Sequence, residues 1–141
     1  MTLSPDSNVL IDLANGHGEV RRNYLAAVQQ GAEFRLSVIV LHELRYGAAV
    51  SARHEKQLAA LAPALNGMSR VDFDEADAET AARVRADLKG RGESIGAYDA
   101  LIAGQALARG WTLVTANTRE FERVRGLSVV DWTRPEEQQH G

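Results

Sequence analysis

The 141-residue chain contains no cysteine, which excludes a disulfide framework, a thiolate metal site and a cysteine nucleophile together. It has no apolar run long enough to span a bilayer. Its opening Met1-Thr2-Leu3-Ser4-Pro5 lacks the basic and then apolar segments of a signal peptide. A soluble, cytoplasmic protein is therefore expected. A strong excess of one charge is also missing. The formal net charge of -3 argues against a uniformly basic nucleic-acid surface, so a polyanion would be held by a local basic patch or through metal ions. His17, His42, His54 and His140 do not have the spacing of zinc ligands. There is no glycine-rich phosphate loop ending in Lys-Ser or Lys-Thr and no Gly-x-Ser-x-Gly elbow, and Gly16-His17-Gly18 reads as a turn.

What is present is an ordinary globular composition, 45% hydrophobic and 25% charged, in a length suited to one domain with its own core. Residues 1–134 are expected to form that domain and residues 135–141 a polar tail that frays. Strand and helix patterns alternate. Residues 3–6 read as a strand running into a short helix with Val9, Leu10 and Leu13 inward. Residues 19–30 read as a helix with Val20, Tyr24, Ala27 and Val28 inward, stopped by Gly31.

Residues 34–37 form a second predicted strand, with Ser37 as the cap of a helix bearing Val40, Leu41, Leu44 and Ala48. A helix from Ala52 carries Leu58, Leu61 and Leu65 and is expected to bend or end at Pro63. Residues 69–73 are a third strand, and Asp74 caps a helix with Ala81, Val84, Arg85 and Leu88 that Gly90 closes. Then comes a helix holding Ile95, Tyr98, Leu101, Ile102 and Ala106 at helical spacing, stopped by Gly110. Residues 112–115 and 127–132 complete the strands. This order predicts a three-layer α/β/α sandwich with a mainly parallel central sheet, in which ligands bind beyond the carboxyl ends of the strands.

Asp6, Glu43 and Glu120 fall at or just after those ends, and Asp99 joins them from the first turn of an apolar helix. Each alone has an ordinary explanation. Asp6 serves equally as a helix cap, Glu43 as a solvated helix residue paired with His42 or Arg45, and Glu120 as a first-turn acid behind Asn117. Asp99 has the alternative of a buried, hydrogen-bonded carboxylate. Together, carboxylates converging at one sheet edge repel one another, and the remedies are proton uptake or a divalent cation. Oxygen-only ligands select hard ions such as Mg²⁺ or Mn²⁺, which activate water and stabilise charge on a leaving oxygen. That is a recipe for phosphodiester hydrolysis.

These residues also resemble a known family, the PIN-domain ribonucleases, and within it the VapC toxins of bacterial type II toxin-antitoxin systems. Pro5-Asp6-Ser7-Asn8-Val9-Leu10-Ile11 resembles the opening Asp-Thr-Asn-x-Leu-Ile, and Leu41-His42-Glu43-Leu44-Arg45-Tyr46-Gly47 the Glu-Leu-x-x-Gly segment. Ile95-Gly96-Ala97-Tyr98-Asp99-Ala100-Leu101-Ile102-Ala103 is similar to Gly-Pro-x-Asp-x-x-Ile-Ala, and residues 114–121 to Val-Thr-Asn-Asn-x-Arg-Glu-Phe. Ser4-Pro5, Ala97 and Ala116 depart from the pattern.

The resemblance implies a PIN-like fold in which Asp6, Glu43, Asp99 and Glu120 bind Mg²⁺ or Mn²⁺ and cut RNA, a tRNA or another structured RNA. It assigns supporting roles to Ser7, as the hydroxyl that orients Asp6, to Asn8, and to Asn117, as a cap or a contact to water. Arg45, Arg85 and Arg119 are the candidates to steer RNA, with Lys89, Arg91 and Arg123 behind them. A homodimer and a cognate VapB-type antitoxin are the implied partners, with Ala26, Ala27, Tyr46 and Leu58 as contact neighbourhoods. Two rivals stand beside this reading. One is a Mg²⁺-dependent phosphatase-like protein, which needs a lysine near Asp6, whereas Lys56 and Lys89 fall on predicted surface helices. The other is a catalytically silent PIN-fold RNA-binding module.

Overall fold

The computed structural model describes residues 1–139; His140 and Gly141, the end of the expected tail, lie outside them. Five strands form one sheet, β1 (Thr2–Pro5), β2 (Glu33–Ser37), β3 (Ser69–Val71), β4 (Thr112–Val114) and β5 (Ser128–Val130), in the order β3-β2-β1-β4-β5. Every neighbouring pair is parallel, with Leu3 beside both Phe34 and Thr112. Between them run α1 (Ser7–Ala14), α2 (Gly18–Gln29), α3 (Val38–Val50), α4 (Ala52–Asn66), α5 (Glu75–Gly90), α6 (Ala97–Arg109) and α7 (Thr118–Phe121).

Parallel neighbours require crossovers, and these are right-handed, so the direction of travel along the sheet decides which face each helix covers. The chain moves outward from β1 to β3 and then jumps back to β4 and on to β5. The helices before the jump therefore lie on one face and those after it on the other. The packing agrees, since α1, α3 and α4 pack on one another and α5 packs on α6. The strands are buried from both sides: Leu3, Leu36, Leu113 and Val114 are inaccessible or nearly so. The reversal of direction falls between β1 and β4, the crevice where open α/β sheets bind ligands.

The sequence pattern is corrected in several places. α4 continues through Pro63 to Asn66. Pro63 is exposed and sits in the last turn, so it forfeits one hydrogen bond while buried Leu61 and Leu65 hold the helix to the core. Val28 is exposed, whereas Val20 and Ala27 of the same helix are buried. The third strand stops at Val71, and Ile95 lies before α6. Beyond β5, Glu136–Gln138 forms a 3₁₀ turn. Asn23 Nδ2 donates to the carbonyls of Trp132 and Arg134, and the Trp132 ring meets Tyr24 and Phe34 edge-on at 6.2 and 6.3 Å. Each such aromatic pair contributes about 0.5–1.5 kcal/mol beyond its buried area.

The helix that carries Asp99 is fixed at both ends. Gly110 ends it in a left-handed conformation, φ +68°, which other residues adopt at a cost. One residue earlier, Arg109 reaches across to buried Asp77 at 3.0 and 2.9 Å, while Gln105 Nε2 donates to the same carboxylate at 3.0 Å. Burial pushes Asp77 up, but the hydrogen bonds from Arg109, the Asp74 backbone and Gln105 outweigh it and hold the carboxyl below its usual value. In mid-helix, Gly104 lets α6 approach α5 so closely that a Cβ there would stand 2.4 Å from Ala81 Cα. Gly104→Ala should therefore lower stability by about 1–3 kcal/mol or more, read as a fall in the urea midpoint. An unchanged midpoint would mean that the two helices are not in contact at that point.

Candidate active site

Asp6 follows β1, and its backbone N–H donates to Val114 O of β4 at 3.0 Å, which places it on the crevice between the two strands. It is also the cap of α1: Oδ1 accepts from Val9 N at 3.0 Å. The ordinary explanation of this residue, a helix cap, is met, and the cap uses only one of its two oxygens. Asp6 is 6% exposed. Its burial is the main cause of a pKa pushed up to about 6, resisted by hydrogen bonds from Thr115 and Val9 and reinforced by the charges of Asp99 and Asp12.

Glu43 projects from the second turn of α3, which Ser37 caps at the end of β2. It is half-buried and forms no ion pair with His42 or Arg45 among the described residues. Its Oε1 is buried without a hydrogen-bond partner. Burial raises its pKa, and so do the charges of Asp99 and Asp6. Asp99, in the first turn of α6, is raised by burial and then by the nearby Glu120 carboxylate. These influences link the four predicted acids in a chain from Glu43 through Asp6 and Asp99 to Glu120. Among the described residues, however, no group of three or more Asp, Glu or His side chains is drawn together tightly enough to hold an ion as it stands.

The fit to a divalent cation therefore rests on the donor set itself. An orphaned carboxylate oxygen at Glu43, three carboxyls raised by burial and mutual repulsion, and all-oxygen chemistry together describe acceptors in want of a positive charge. Asp6, Glu43, Asp99 and Glu120 are the residues that would hold it.

The surrounding residues differ from expectation in part. Ser7 Oγ donates weakly to Glu43 Oε2 at 3.5 Å instead of orienting Asp6. Thr115, fully buried just past β4 and missed by the sequence reading, is the hydroxyl that lowers the Asp6 pKa. Its hydroxyl also accepts from Asn117 N at 3.0 Å. The signal was available, since Thr115 belongs to the Val-Thr segment before Asn117 at the end of a strand. Asn117 makes no side-chain cap for α7; its Nδ2 donates to Glu120 Oε2 at 3.2 Å. Asn8 is exposed on the rim of a cavity of about 610 Å³ whose walls include Ser7, Glu43, His42 and Tyr98.

Of the basic candidates, Arg45, Arg85 and Arg119 are exposed. Arg85 and Lys89 line a hollow of about 330 Å³ with Ser94, Ile95 and Ala100, next to Asp99 in the chain. Arg91 is committed to Asp87, Glu93 and the Arg123 carbonyl, and Arg123 to the Ser94 carbonyl, so both tie loops together. Lys56 and Lys89 are exposed on α4 and α5. Ala27 is buried in the protein's own core and offers no contact surface; the exposed large apolar side chains are Met1, Leu25, Val28, Tyr46, Val50 and Tyr98.

The all-parallel sheet and its order define an open α/β protein, and comparison with known proteins narrows the class. The PIN domain family model matches residues 4–127. The chain is 38% identical over 129 residues to the tRNA(fMet)-specific endonuclease VapC of Shigella flexneri, covering 91% of this chain and 96% of that protein. It is 32% identical over 129 residues to ribonuclease VapC2 of Rickettsia felis, covering 92% and 96%. Its structure is similar to VapBC2 from Rickettsia felis bound to a promoter DNA fragment (TM-score 0.84, 31% identity, 94% of this chain and 99% of that one). DNA-bound VapBC from Salmonella typhimurium is similar at a TM-score of 0.82 and 32% identity, covering 94% and 98%. The chain belongs to the PIN domain family and, within it, to the VapC ribonucleases. Among the described residues no helix is long and apolar enough to cross a membrane.

The raised carboxyls make a test by pH. A folded-state pKa of about 6 against 3.8 for Asp6 means the native state binds a proton that the unfolded chain has released. Stability of the metal-free protein should therefore fall as pH rises from about 4 to 7, by up to roughly 3 kcal/mol for this group. Asp6→Asn keeps the helix cap, and it should flatten that dependence and raise the metal-free melting temperature at pH 7. A melting temperature independent of pH over this range in the wild type would contradict the burial and repulsion described here.

Proposed function

We propose that this protein is a divalent-metal-dependent endoribonuclease, the toxin of a VapBC-type pair, that hydrolyses phosphodiester bonds in a tRNA or another structured RNA. The observation that carries the proposal is the buried, unpartnered Glu43 Oε1 on a carboxylate whose pKa is raised by burial and by the charges of Asp99 and Asp6. Mg²⁺ or Mn²⁺, when bound, supplies activation of water and neutralisation of phosphate charge.

The chain's own residues do the positioning. Asp6 is held by the Val9 N–H, with the Thr115 hydroxyl favouring its charged form. Asn117 holds Glu120 from one side, and Ser7 leans on Glu43 from the other. Such neighbours set the orientation of acidic ligands. Arg85 and Lys89 offer the RNA backbone a basic hollow beside the Asp99 helix, in keeping with a chain whose net charge is negative and whose affinity for RNA must be local.

The tRNA assignment follows the relative named for that substrate, and the antitoxin assignment follows the VapBC complexes. For the partner surfaces, the exposed apolar residues Leu25, Val28 and Val50 are available on α2 and α3. We assign them to a second copy of this chain and to the antitoxin.

Total RNA incubated with the protein should be cut in Mg²⁺ or Mn²⁺ and left intact in EDTA. Asp99→Asn, checked for a native melting curve, should lose about 100-fold or more in rate. Cleavage that survives chelation, or an Asp99→Asn variant as active as the wild type, would contradict the proposal.

A further inference from the structure

The cavity of about 610 Å³ that shares Ser7 and Glu43 with the acidic site has a second character on its far wall. Tyr98, one residue before Asp99, is 54% exposed at the start of a helix whose other large apolar residues are buried or half-buried. Its ring leans against His42, one residue before Glu43, with centroids 5.7 Å apart and planes at 37°. Tyr46, one turn further along α3 and 65% exposed, lines the same cavity with Ile11 and His54. Two acids of the site are thus each preceded by an aromatic side chain, and those two rings touch.

The helix geometry explains the arrangement. Residues adjacent on a helix point about 100° apart, so when Asp99 and Glu43 turn to the crevice, Tyr98 and His42 are turned to the cavity beside it. A large apolar ring left in solvent gains nothing for folding, and single-stranded RNA is recognised by stacking its splayed bases on such rings.

The geometry points to Tyr98, supported by His42, as the platform on which a base flanking the scissile phosphate stacks. This deepens the endoribonuclease reading and rests on it: the phosphate lies over the acids and the neighbouring base over Tyr98. The platform selects unpaired nucleotides, because a base within a duplex cannot present its face to the ring. It reads an exposed loop and not a particular sequence.

The test compares two fluorescein-labelled probes, a random-sequence single-stranded RNA and an abasic ribose-phosphate strand of the same length, by anisotropy in an Asp99→Asn background that does not cut them. Tyr98→Ala should weaken binding of the RNA by about 5- to 100-fold and leave binding of the abasic strand within twofold. Tyr98→Phe should restore the RNA affinity, because the ring and not the hydroxyl is used. In the cutting protein the loss should appear in KM more than in kcat.

Equal loss on both probes would overturn the proposal. So would RNA affinity unchanged by Tyr98→Ala, including the case in which this variant weakens only the antitoxin complex. The endoribonuclease reading fails separately, if the Asp99→Asn protein still cuts RNA. Tyr98 is exposed, so a native melting curve is expected of its variants and is measured alongside.

Discussion

The desolvation of neighbouring carboxylates is the constraint on which the rest of this structure depends. Asp6, Glu43 and Asp99 are each pushed toward protonation by burial first and by other acids second. A fold selected for stability alone would separate them or give them cationic partners, as it does for Asp77 with Arg109. The contrast within one molecule is informative. The same chain pairs buried Asp77 with Arg109 and buried Asp131 with Arg134 and leaves Asp6 without a cation, the pattern expected of a functional group of acids.

The core can bear that cost because the topology concentrates the site at a single place. The strands are short, and the direction of the sheet reverses between β1 and β4. Asp6 and Thr115 leave adjacent strands at the reversal, and each backbone N–H still finds a strand carbonyl, Val114 O and Val130 O respectively. Helix α6 brings Asp99 to the same edge, fixed along its length by the close approach at Gly104 and by the Arg109 clamp. Local backbone satisfaction and long-range helix packing thus act together to keep the acids near one another.

Much of this was legible in the residues. Alternating strand and helix patterns led to the parallel sandwich, and the four acids stood out because each followed a strand or opened an apolar helix. The parts that were not legible share a cause. Thr115 looks like a core strand residue, and only the register of β1 against β4 brings it to Asp6. Ser7 was expected to serve Asp6, yet the turn of α1 sends its hydroxyl to Glu43, 36 residues away in sequence. Tyr98 fitted the apolar period of its helix but is exposed in the first turn of α6, because periodicity does not reveal which turns of a helix the rest of the chain covers. Pro63 reads as a stop until Leu65 is seen anchored in the core. Contacts between distant segments decided each of these, and one-dimensional patterns do not carry such contacts.

The central proposal is that Asp6, Glu43, Asp99 and Glu120 would hold a divalent cation. Anomalous diffraction from crystals grown with Mn²⁺ tests this most directly. The account predicts a strong peak at the site lined by Asp6, Glu43, Asp99 and Glu120. The absence of a peak there at saturating Mn²⁺, or a peak elsewhere with these four side chains unmoved, would contradict it.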